Sequence, residues 1–165
     1  MDIYNHQIDI TCFPTVFGDG NHETTRFLLY FLKRYAKGRT YIDCGCGTGI
    51  LSIFASKVGA ESVTAVDVDQ CAIECATENI QANNAEVSII HTDVQDLDIT
   101  ADIVTANFAR EEALLHIDKI KQIGNIVITT WFKSLPTDAF ADCTIIDHIE
   151  GIEYDCYVLT KEINK

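Results

Sequence analysis

The amino-acid sequence predicts an α/β fold: a doubly wound, mostly parallel sheet that ends in an antiparallel hairpin. Two observations carry this prediction. Between residues 39 and 129, short runs rich in β-branched residues alternate with amphipathic runs at helical spacing, which is typical of parallel βαβ units. Near the C-terminus, a short turn at Gly151 separates two strand-like runs and is too short for a parallel crossover. We expect one domain over residues 1–165.

The N-terminal part of the chain is predicted to hold short extended pieces, a turn and a helix. The turn is indicated by Gly18-Asp19-Gly20. The helix is predicted to have Asn21 as its N-cap and Glu23 in its first turn, because apolar residues recur at helical spacing as far as Tyr35, and Gly38 follows. We expect this helix to pack on the sheet.

The remaining elements are predicted from the same two periodicities. The predicted strands are 41–42, 62–66, 87–90, 103–106, 126–129, 144–149 and 154–160. The predicted helices between them are 50–58, 69–82 and 111–120. Right-handed crossovers would place these helices on both faces of the sheet.

The charge of the chain is strongly acidic. Asp and Glu number 25 against 12 Lys and Arg, which gives a formal net charge of -13. Such a field repels phosphate backbones and attracts basic proteins, so direct nucleic-acid binding is not expected. High solubility is the alternative explanation of the same charge. Since the N-terminus does not resemble a signal peptide and no long apolar run occurs, we expect a cytoplasmic protein without a membrane span.

The cysteines do not indicate a metal site or a disulfide framework. They are seven in number and form no C-x-x-C pair, so reduced thiols are expected. Cys71 and Cys75 would share a helix face, but no third ligand lies near them in the sequence. No metal is therefore predicted.

The most informative segment is the glycine-rich run from Asp43 to Gly49, which follows a predicted strand and begins a helix. Its three alternate glycines allow the backbone to approach a ligand closely, and the helix that follows offers free N–H groups to a carboxylate or phosphate. We therefore predict a cofactor site that includes Asp43, Gly45, Cys46, Gly47 and Gly49.

The spacing of this run departs from the dinucleotide fingerprint. That fingerprint, G-x-G-x-x-G, requires glycine where this chain has Ile50. Asp67 ends the next predicted strand, where a carboxylate can accept hydrogen bonds from two ribose hydroxyls. Alternatively, Asp67 or Asp69 would only cap the next helix.

Two further polar residues follow predicted strands at the same edge of the sheet. Asp93 would lie beside an adenine, or would only cap a turn. Asn107 would lie at the crevice where open α/β sheets bind ligands. Its amide oxygen could accept a hydrogen bond from an incoming amine and so orient the nitrogen lone pair; alternatively, it would satisfy turn backbone.

Four blocks of the chain together resemble the methyltransferase family that modifies the eleventh protein of the large ribosomal subunit (PrmA). The blocks are Phe17-Gly18-Asp19-Gly20-Asn21-His22-Glu23-Thr24-Thr25-Arg26, the loop of residues 43–49, Val66-Asp67-Val68-Asp69 and Ala106-Asn107. Their order and separations agree with the family. A parallel sheet that ends in a hairpin is also the arrangement of class I S-adenosylmethionine-dependent methyltransferases, which have a Rossmann-like fold.

The resemblance implies a cofactor, an activity and a set of site residues. It implies S-adenosyl-L-methionine as the cofactor, methyl transfer to protein amines, and a basic ribosomal protein as the substrate. It implies Thr25, Gly45, Asp67 and Asn107 as cofactor contacts. Phe17 is implied to line or cover the methionine end, and Asn107 to face the acceptor nitrogen.

The chain also departs from the family pattern. Asp19 replaces a threonine, and Asn107-Phe108-Ala109-Arg110 replaces a segment like N-I-L-A. Sixteen residues precede Phe17, so the chain is expected to correspond to the catalytic domain without the family's N-terminal recognition domain. A small-molecule or RNA methyltransferase and a cofactor-binding subunit that needs a partner are the alternatives, and an NAD-dependent oxidoreductase ranks last. His22 would either accept a proton or shape the start of a helix.

Overall fold

One mixed sheet with helices on both faces forms the architecture of the computed structural model, which describes residues 1–161. A small hairpin of β1 (Asp2–Ile3) and β2 (His6–Gln7) precedes it. The strands of the sheet are β3 (Thr40–Cys44), β4 (Ser62–Asp67), β5 (Ser88–His91), β6 (Ala101–Ala106), β7 (Gly124–Phe132), β8 (Cys143–Glu150) and β9 (Tyr154–Lys161). The helices are α1 (Glu23–Tyr35), α2 (Ile50–Lys57), α3 (Gln70–Ala82) and α4 (Arg110–Ile123).

The topology confirms the predicted parallel sheet with an antiparallel C-terminal hairpin. The strand order is β5-β4-β3-β6-β7-β9-β8. The first five strands in that order are parallel, and β9 runs antiparallel to both β7 and β8. The order reverses between β3 and β6, and such a switch point opens a crevice at the carboxyl edge of the sheet.

The start of α1 differs from the prediction. The N-cap is His22, which has extended backbone and accepts a hydrogen bond at Nδ1 from the Thr24 N–H (3.3 Å). The side chain of Asn21 instead donates to Asp19 Oδ2 (3.0 Å). Asn21 was therefore the wrong cap, because its amide is used by the turn that precedes the helix.

Two hydrophobic clusters fill the two faces of the sheet. On β6, the successive residues Ile103 and Val104 are both fully buried and belong to opposite clusters, as the alternation of a strand requires. One cluster includes Phe31 and Phe54 from the helices α1 and α2, and the other includes Ile120 from α4. Burying each of these side chains stabilises the fold by roughly 1.5–3 kcal/mol. The packed core therefore fixes the positions of the strand ends.

Two buried asparagines, Asn79 of α3 and its C-cap Asn83, fix the N-terminal segment. The backbone N–H groups of Asp9 and Thr11 donate to Asn83 Oδ1 (2.9 Å) and Asn79 Oδ1 (2.8 Å). The amide of Asn79 returns a bond to the Thr11 carbonyl (2.9 Å) and donates another to the Thr48 carbonyl in the glycine-rich loop (2.9 Å). The N-terminal segment is thus attached both to α3 and to that loop.

Cys71 and Cys75, four residues apart on α3, differ in their exposure to solvent. Cys71 is exposed, whereas Cys75 is buried and donates its S–H to the Thr11 carbonyl (3.3 Å). None of the helices within residues 1–161 combines the length and apolar character needed to cross a membrane.

Candidate functional site

A cavity of about 530 Å³ opens at the carboxyl edge of the sheet, at the switch between β3 and β6. Its volume lies within the range of ordinary small-molecule sites. The predicted site residues that line it are Phe17, Thr25, Gly45, Cys46, Gly47, Asp67 and Asn107. These residues come from four separate stretches of the chain, so the fold brings most of the predicted site together.

The glycine-rich loop between β3 and α2 is held against the end of β4. The N–H groups of Gly45 and Cys46 both donate to the Val66 carbonyl (2.8 and 3.0 Å), and the Gly47 N–H donates to Asp67 Oδ2 (3.0 Å). Gly47 has a φ of +53°, and a Cβ there would collide with the Phe17 carbonyl oxygen. Only glycine therefore allows the loop and the Phe17 segment to approach this closely.

Asp67 and Asp69 divide the two roles that the sequence left open. Asp69 caps α3 by accepting from the Cys71 N–H (2.9 Å). Asp67 accepts from Gly47 at Oδ2 and from the Asp69 N–H at Oδ1 (3.0 Å). Because a carboxylate has about four acceptor positions, each Asp67 oxygen can accept one more hydrogen bond. The carboxylate therefore both fixes the loop and presents acceptor capacity to the cavity.

Asp43 lies beneath the loop and outside the cavity wall. It is only 1% exposed, and it accepts hydrogen bonds from Ser52 Oγ at Oδ2 (2.7 Å) and from Thr105 Oγ1 at Oδ1 (3.1 Å). Burial raises the pKa of the Asp43 carboxyl to about 6, and the two hydroxyl donors oppose that rise. Asp43 thus supports the loop from below instead of facing a ligand.

Gly49 and Asp93 also lie outside the cavity wall. Gly49 is the N-cap of α2 and packs against Ala76, where an added Cβ would be 3.2 Å from the Ala76 Cβ. Asp93 caps a short 3-10 turn by accepting from the Gln95 N–H (2.8 Å). The capping role that the sequence offered for Asp93 is therefore present in the structure.

Asn107 directly follows β6 and lines the cavity on the β6–β7 side of the switch. Its Oδ1 accepts a hydrogen bond from Thr130 Oγ1 (2.8 Å), and Thr130 is a buried residue of β7 that also lines the cavity. The bond fixes the orientation of the amide while leaving the oxygen a second acceptor position. An amide held in this way can receive an N–H donor from a ligand.

A row of four aromatic rings also lines the cavity. Neighbouring ring centroids are 5.2 Å apart for Phe17 and His22, 5.4 Å for His22 and Tyr154, and 5.7 Å for Tyr154 and Phe132. Phe17 and Phe132, at the two ends, are 54% and 58% exposed. We call these four residues the aromatic wall. They present a continuous apolar surface at the mouth of the cavity.

His22 has a structural role in this wall. Its Nδ1 accepts from the Thr24 N–H and lies 2.8 Å from Thr24 Oγ1. The imidazole therefore shapes the start of α1, as one of the two sequence-based alternatives proposed, and its Nδ1 lone pair is already used.

The charged side chains that line the cavity are mostly acidic. They are Asp67, Asp69 and Glu112, against Arg110. Carboxylates that surround a cleft raise the local concentration of cations. The cavity thus favours a positively charged ligand or substrate group.

Sequence reasoning missed several lining residues. Thr130 and Phe132 end β7 at the carboxyl edge, but the strand was predicted to stop at residue 129. Tyr154 begins β9, and the antiparallel direction of that strand brings its first residue to the same edge. Phe108 rests on Gly45, where a Cβ would collide with its ring, and no sequence pattern indicated that contact. Thr130, Phe132 and Tyr154 could have been predicted, because parallel strands end at the carboxyl edge and an antiparallel neighbour begins there.

Solved structures confirm the class I S-adenosylmethionine-dependent methyltransferase fold. A ribosomal protein L11 methylase from Lactobacillus delbrueckii subsp. bulgaricus superposes with a TM-score of 0.78 at 29% identity, over 86% of this chain and 80% of that one. The 16S rRNA N2 G1207 methyltransferase of T. Thermophilus, solved with AdoMet and guanosine, gives a TM-score of 0.81 at 18% identity, over 98% of this chain and 49% of that one. The second likeness shows the fold alone.

Curated relatives match the chain over a large part of its length. The ribosomal protein L11 methyltransferase of Thermotoga petrophila is 43% identical over 112 residues, which are 67% of this chain and 41% of that protein. The enzyme of the same name from Thermosipho africanus is 35% identical over 148 residues, which are 87% of this chain and 57% of that protein. The chain therefore spans about half the length of these relatives.

The family resemblance that four sequence blocks predicted is confirmed. The family model for ribosomal protein L11 methyltransferase (PrmA) matches residues 12–125, which is more than half of the chain. The chain belongs to the ribosomal protein L11 methyltransferase (PrmA) family.

Proposed function

We propose that the protein is an S-adenosylmethionine-dependent methyltransferase that methylates an amine of a protein. One observation carries this proposal: the glycine-rich loop with Asp67 and the Asn107–Thr130 pair line the same cavity from opposite sides of the strand-order switch. The glycine-rich loop with Asp67 suits a nucleoside cofactor. The Asn107–Thr130 pair suits a ligand that donates an N–H. Transfer between two bound groups requires both in one cavity.

The residues present fit S-adenosylmethionine. Asp67 has the free acceptor positions that ribose hydroxyls require, and the positive φ angles of Gly45 and Gly47 bring bare backbone to the cavity. We assign Thr25, Gly45, Cys46 and Gly47 to the methionine part, with Phe17 covering it. When bound, this cofactor supplies an electrophilic methyl group on a positively charged sulfur.

The part of the cavity that Asn107 and the aromatic wall line is suited to an aliphatic amine, and we call it the acceptor half. Asn107 Oδ1 would accept an N–H and thereby aim the nitrogen lone pair, while the aromatic wall would hold the methylene chain of a lysine. Orientation of this kind can lower a barrier by roughly 7–11 kcal/mol. A lysine amine, with an ordinary pKa near 10.4, first releases its proton to water at the open mouth.

A basic ribosomal protein is the substrate that we favour. The relatives from Thermotoga and Thermosipho carry the name ribosomal protein L11 methyltransferase. The net charge of -13 and the acidic cavity would attract a basic protein. A ribosomal substrate also implies that the protein works in the cytoplasm.

The proposal is tested with methyl-labelled S-adenosylmethionine and a cell extract. The purified protein is expected to label a discrete protease-sensitive band, and Asn107→Ala to abolish labelling even at S-adenosylmethionine concentrations that calorimetry shows to saturate the variant. Label sensitive to nuclease would replace the protein acceptor with RNA, and label on small molecules would replace it with a metabolite. Cofactor binding without label in any fraction would overturn the proposal in favour of a subunit that requires a partner.

A further inference from the structure

Three consecutive backbone N–H groups converge on one carboxylate at the turn between β8 and β9. The N–H of Ile152 donates to Glu23 Oε1 (2.6 Å), and those of Glu153 and Tyr154 donate to Oε2 (3.1 and 3.0 Å). Glu23 is the first residue of α1, far from this turn in the sequence. We call this set of bonds the Glu23 clasp.

The acceptor of all three hydrogen bonds in the clasp is the Glu23 carboxylate, and the turn packs closely around it. Bonds to an ionised acceptor are stronger than neutral ones, and these bonds hold the pKa of the Glu23 carboxyl below its usual value. Lys133 Nζ adds a bond to the Gly151 carbonyl on the same turn (2.7 Å). A Cβ on Gly151 would collide with the Tyr154 carbonyl oxygen and would lie 2.5 Å from Glu23 Oε1, so only glycine fits between the turn backbone and the carboxylate.

The clasp joins the two central members of the aromatic wall. Glu23 directly follows His22, and the last N–H that it receives belongs to Tyr154. The rings of His22 and Tyr154 are in edge contact at 5.4 Å. The turn itself is otherwise open to solvent, with Ile152 87% exposed, so little apolar burial fixes it. The carboxylate thus ties the turn to the start of α1 where these two rings meet, while Leu28 and Phe31 of α1 pack with Cys156 and Val158 of β9 farther along the strand.

We propose that Glu23 is a positioning residue for the amine acceptor: it docks the β8–β9 turn onto α1 and so completes the aromatic wall beside Asn107. This inference rests on the proposed function. It assigns to Glu23 a larger effect on acceptor binding than on cofactor binding, because the glycine-rich loop and Asp67 lie on the other side of the switch, although Phe17 and Thr25 lie near Glu23 in the chain.

The test measures binding of Nα-acetyl-lysine methylamide in the presence of S-adenosylhomocysteine, by NMR of the Tyr154 ring. Glu23→Ala is expected to weaken this binding roughly tenfold, since the clasp comprises three charge-assisted bonds. Glu23→Gln, which keeps one acceptor oxygen, should fall between wild type and Glu23→Ala. Glu111→Ala is the matched control, because Glu111 is an exposed acid in the first turn of α4.

The outcomes separate this inference from the proposed function. Unchanged probe affinity in Glu23→Ala, an equal loss in Glu111→Ala, or a loss of S-adenosylmethionine affinity in Glu23→Ala as large as its loss of probe affinity would overturn the inference. Failure of the wild type to bind the probe would overturn it as well. If the probe binds through Glu23 but no methyl group is transferred to any acceptor, the clasp stands and the proposed function falls.

Discussion

Asp67 combines two tasks in one carboxylate. It receives the N–H groups of Gly47 and Asp69 and keeps acceptor capacity toward the cavity. Asp67→Asn would replace one oxygen with an N–H donor that faces a backbone N–H. We expect S-adenosylmethionine affinity to fall at least tenfold, since each bond to a charged group contributes about 1.5–3 kcal/mol. Calorimetric titration measures this fall, with the exposed Asp98→Asn as the control. Equal affinities in the two variants would refute a cofactor role for Asp67.

The raised pKa of the buried Asp43 carboxyl predicts an unusual pH dependence of the free energy of unfolding. Its folded pKa of about 6 lies above the ordinary value of 3.8 because the carboxyl is buried. The folded state therefore binds more protons than the unfolded state between these values, and this residue's contribution to stability falls as the pH rises from about 4 to about 6. A shift of this size corresponds to about 3 kcal/mol.

The contribution of Asp43 is isolated by a difference measurement. Glu23 and Asp102 have lowered pKa values, because backbone N–H groups bind their carboxylates, and they change stability with pH in the opposite direction. Urea unfolding of wild type and Asp43→Asn at several pH values cancels these effects. The stability difference between the two proteins should drift in favour of Asp43→Asn as the pH rises through this window. A constant difference would contradict the raised pKa.

At the scale of elements, Asn79 of α3 and its C-cap Asn83 bind the N-terminal segment, and Asn79 joins it to the site. Asn79 and Asn83 both bind that segment, but only Asn79 also donates to Thr48 in the glycine-rich loop. Both Asn79→Ala and Asn83→Ala should lower the free energy of unfolding by about 1–3 kcal/mol, because each leaves backbone groups without partners. Only Asn79→Ala should also weaken S-adenosylmethionine binding, by roughly tenfold. Chemical unfolding and calorimetry on the two variants check this, and equal cofactor affinities would rule out the link to the loop.

The elements also show which parts of the site a sequence can predict. Gly45, Asp67 and Asn107 were predicted because each of them ends or directly follows a parallel strand. The carboxyl ends of parallel strands lie at one edge of the sheet, however the side chains pack. The Glu23 clasp was not found, because it joins a helix start to a hairpin turn near the other end of the chain. No local periodicity encodes that contact. It depends on where the antiparallel strands dock.

At the scale of the whole molecule, the change of strand direction at β9 gives the cavity its second half. The parallel strands β4 and β3 bring the predicted cofactor residues to the carboxyl edge. A further parallel strand beyond β7 would begin at the opposite edge. Because β9 is antiparallel, its first residue, Tyr154, instead lies beside Phe132 at the end of β7. The C-terminal hairpin therefore supplies Tyr154 to the aromatic wall and extends the sheet beyond β7.

The net charge of -13 predicts salt-dependent recognition of a basic acceptor protein. Raising the ionic strength from about 0.1 M to about 1 M shortens the screening length from about 10 Å to about 3 Å. The association rate of a lysine-rich peptide should then fall roughly tenfold or more, because steering by the acidic surface is lost. Stopped-flow measurements can compare it with a peptide that keeps one lysine and has glutamine at the other lysine positions. The second peptide should associate more slowly at low salt and respond little to added salt. If both peptides associate equally fast at low salt, the acidic surface does not select the substrate. Recognition of a ribosomal protein would then have to depend on the aromatic wall and Asn107 alone.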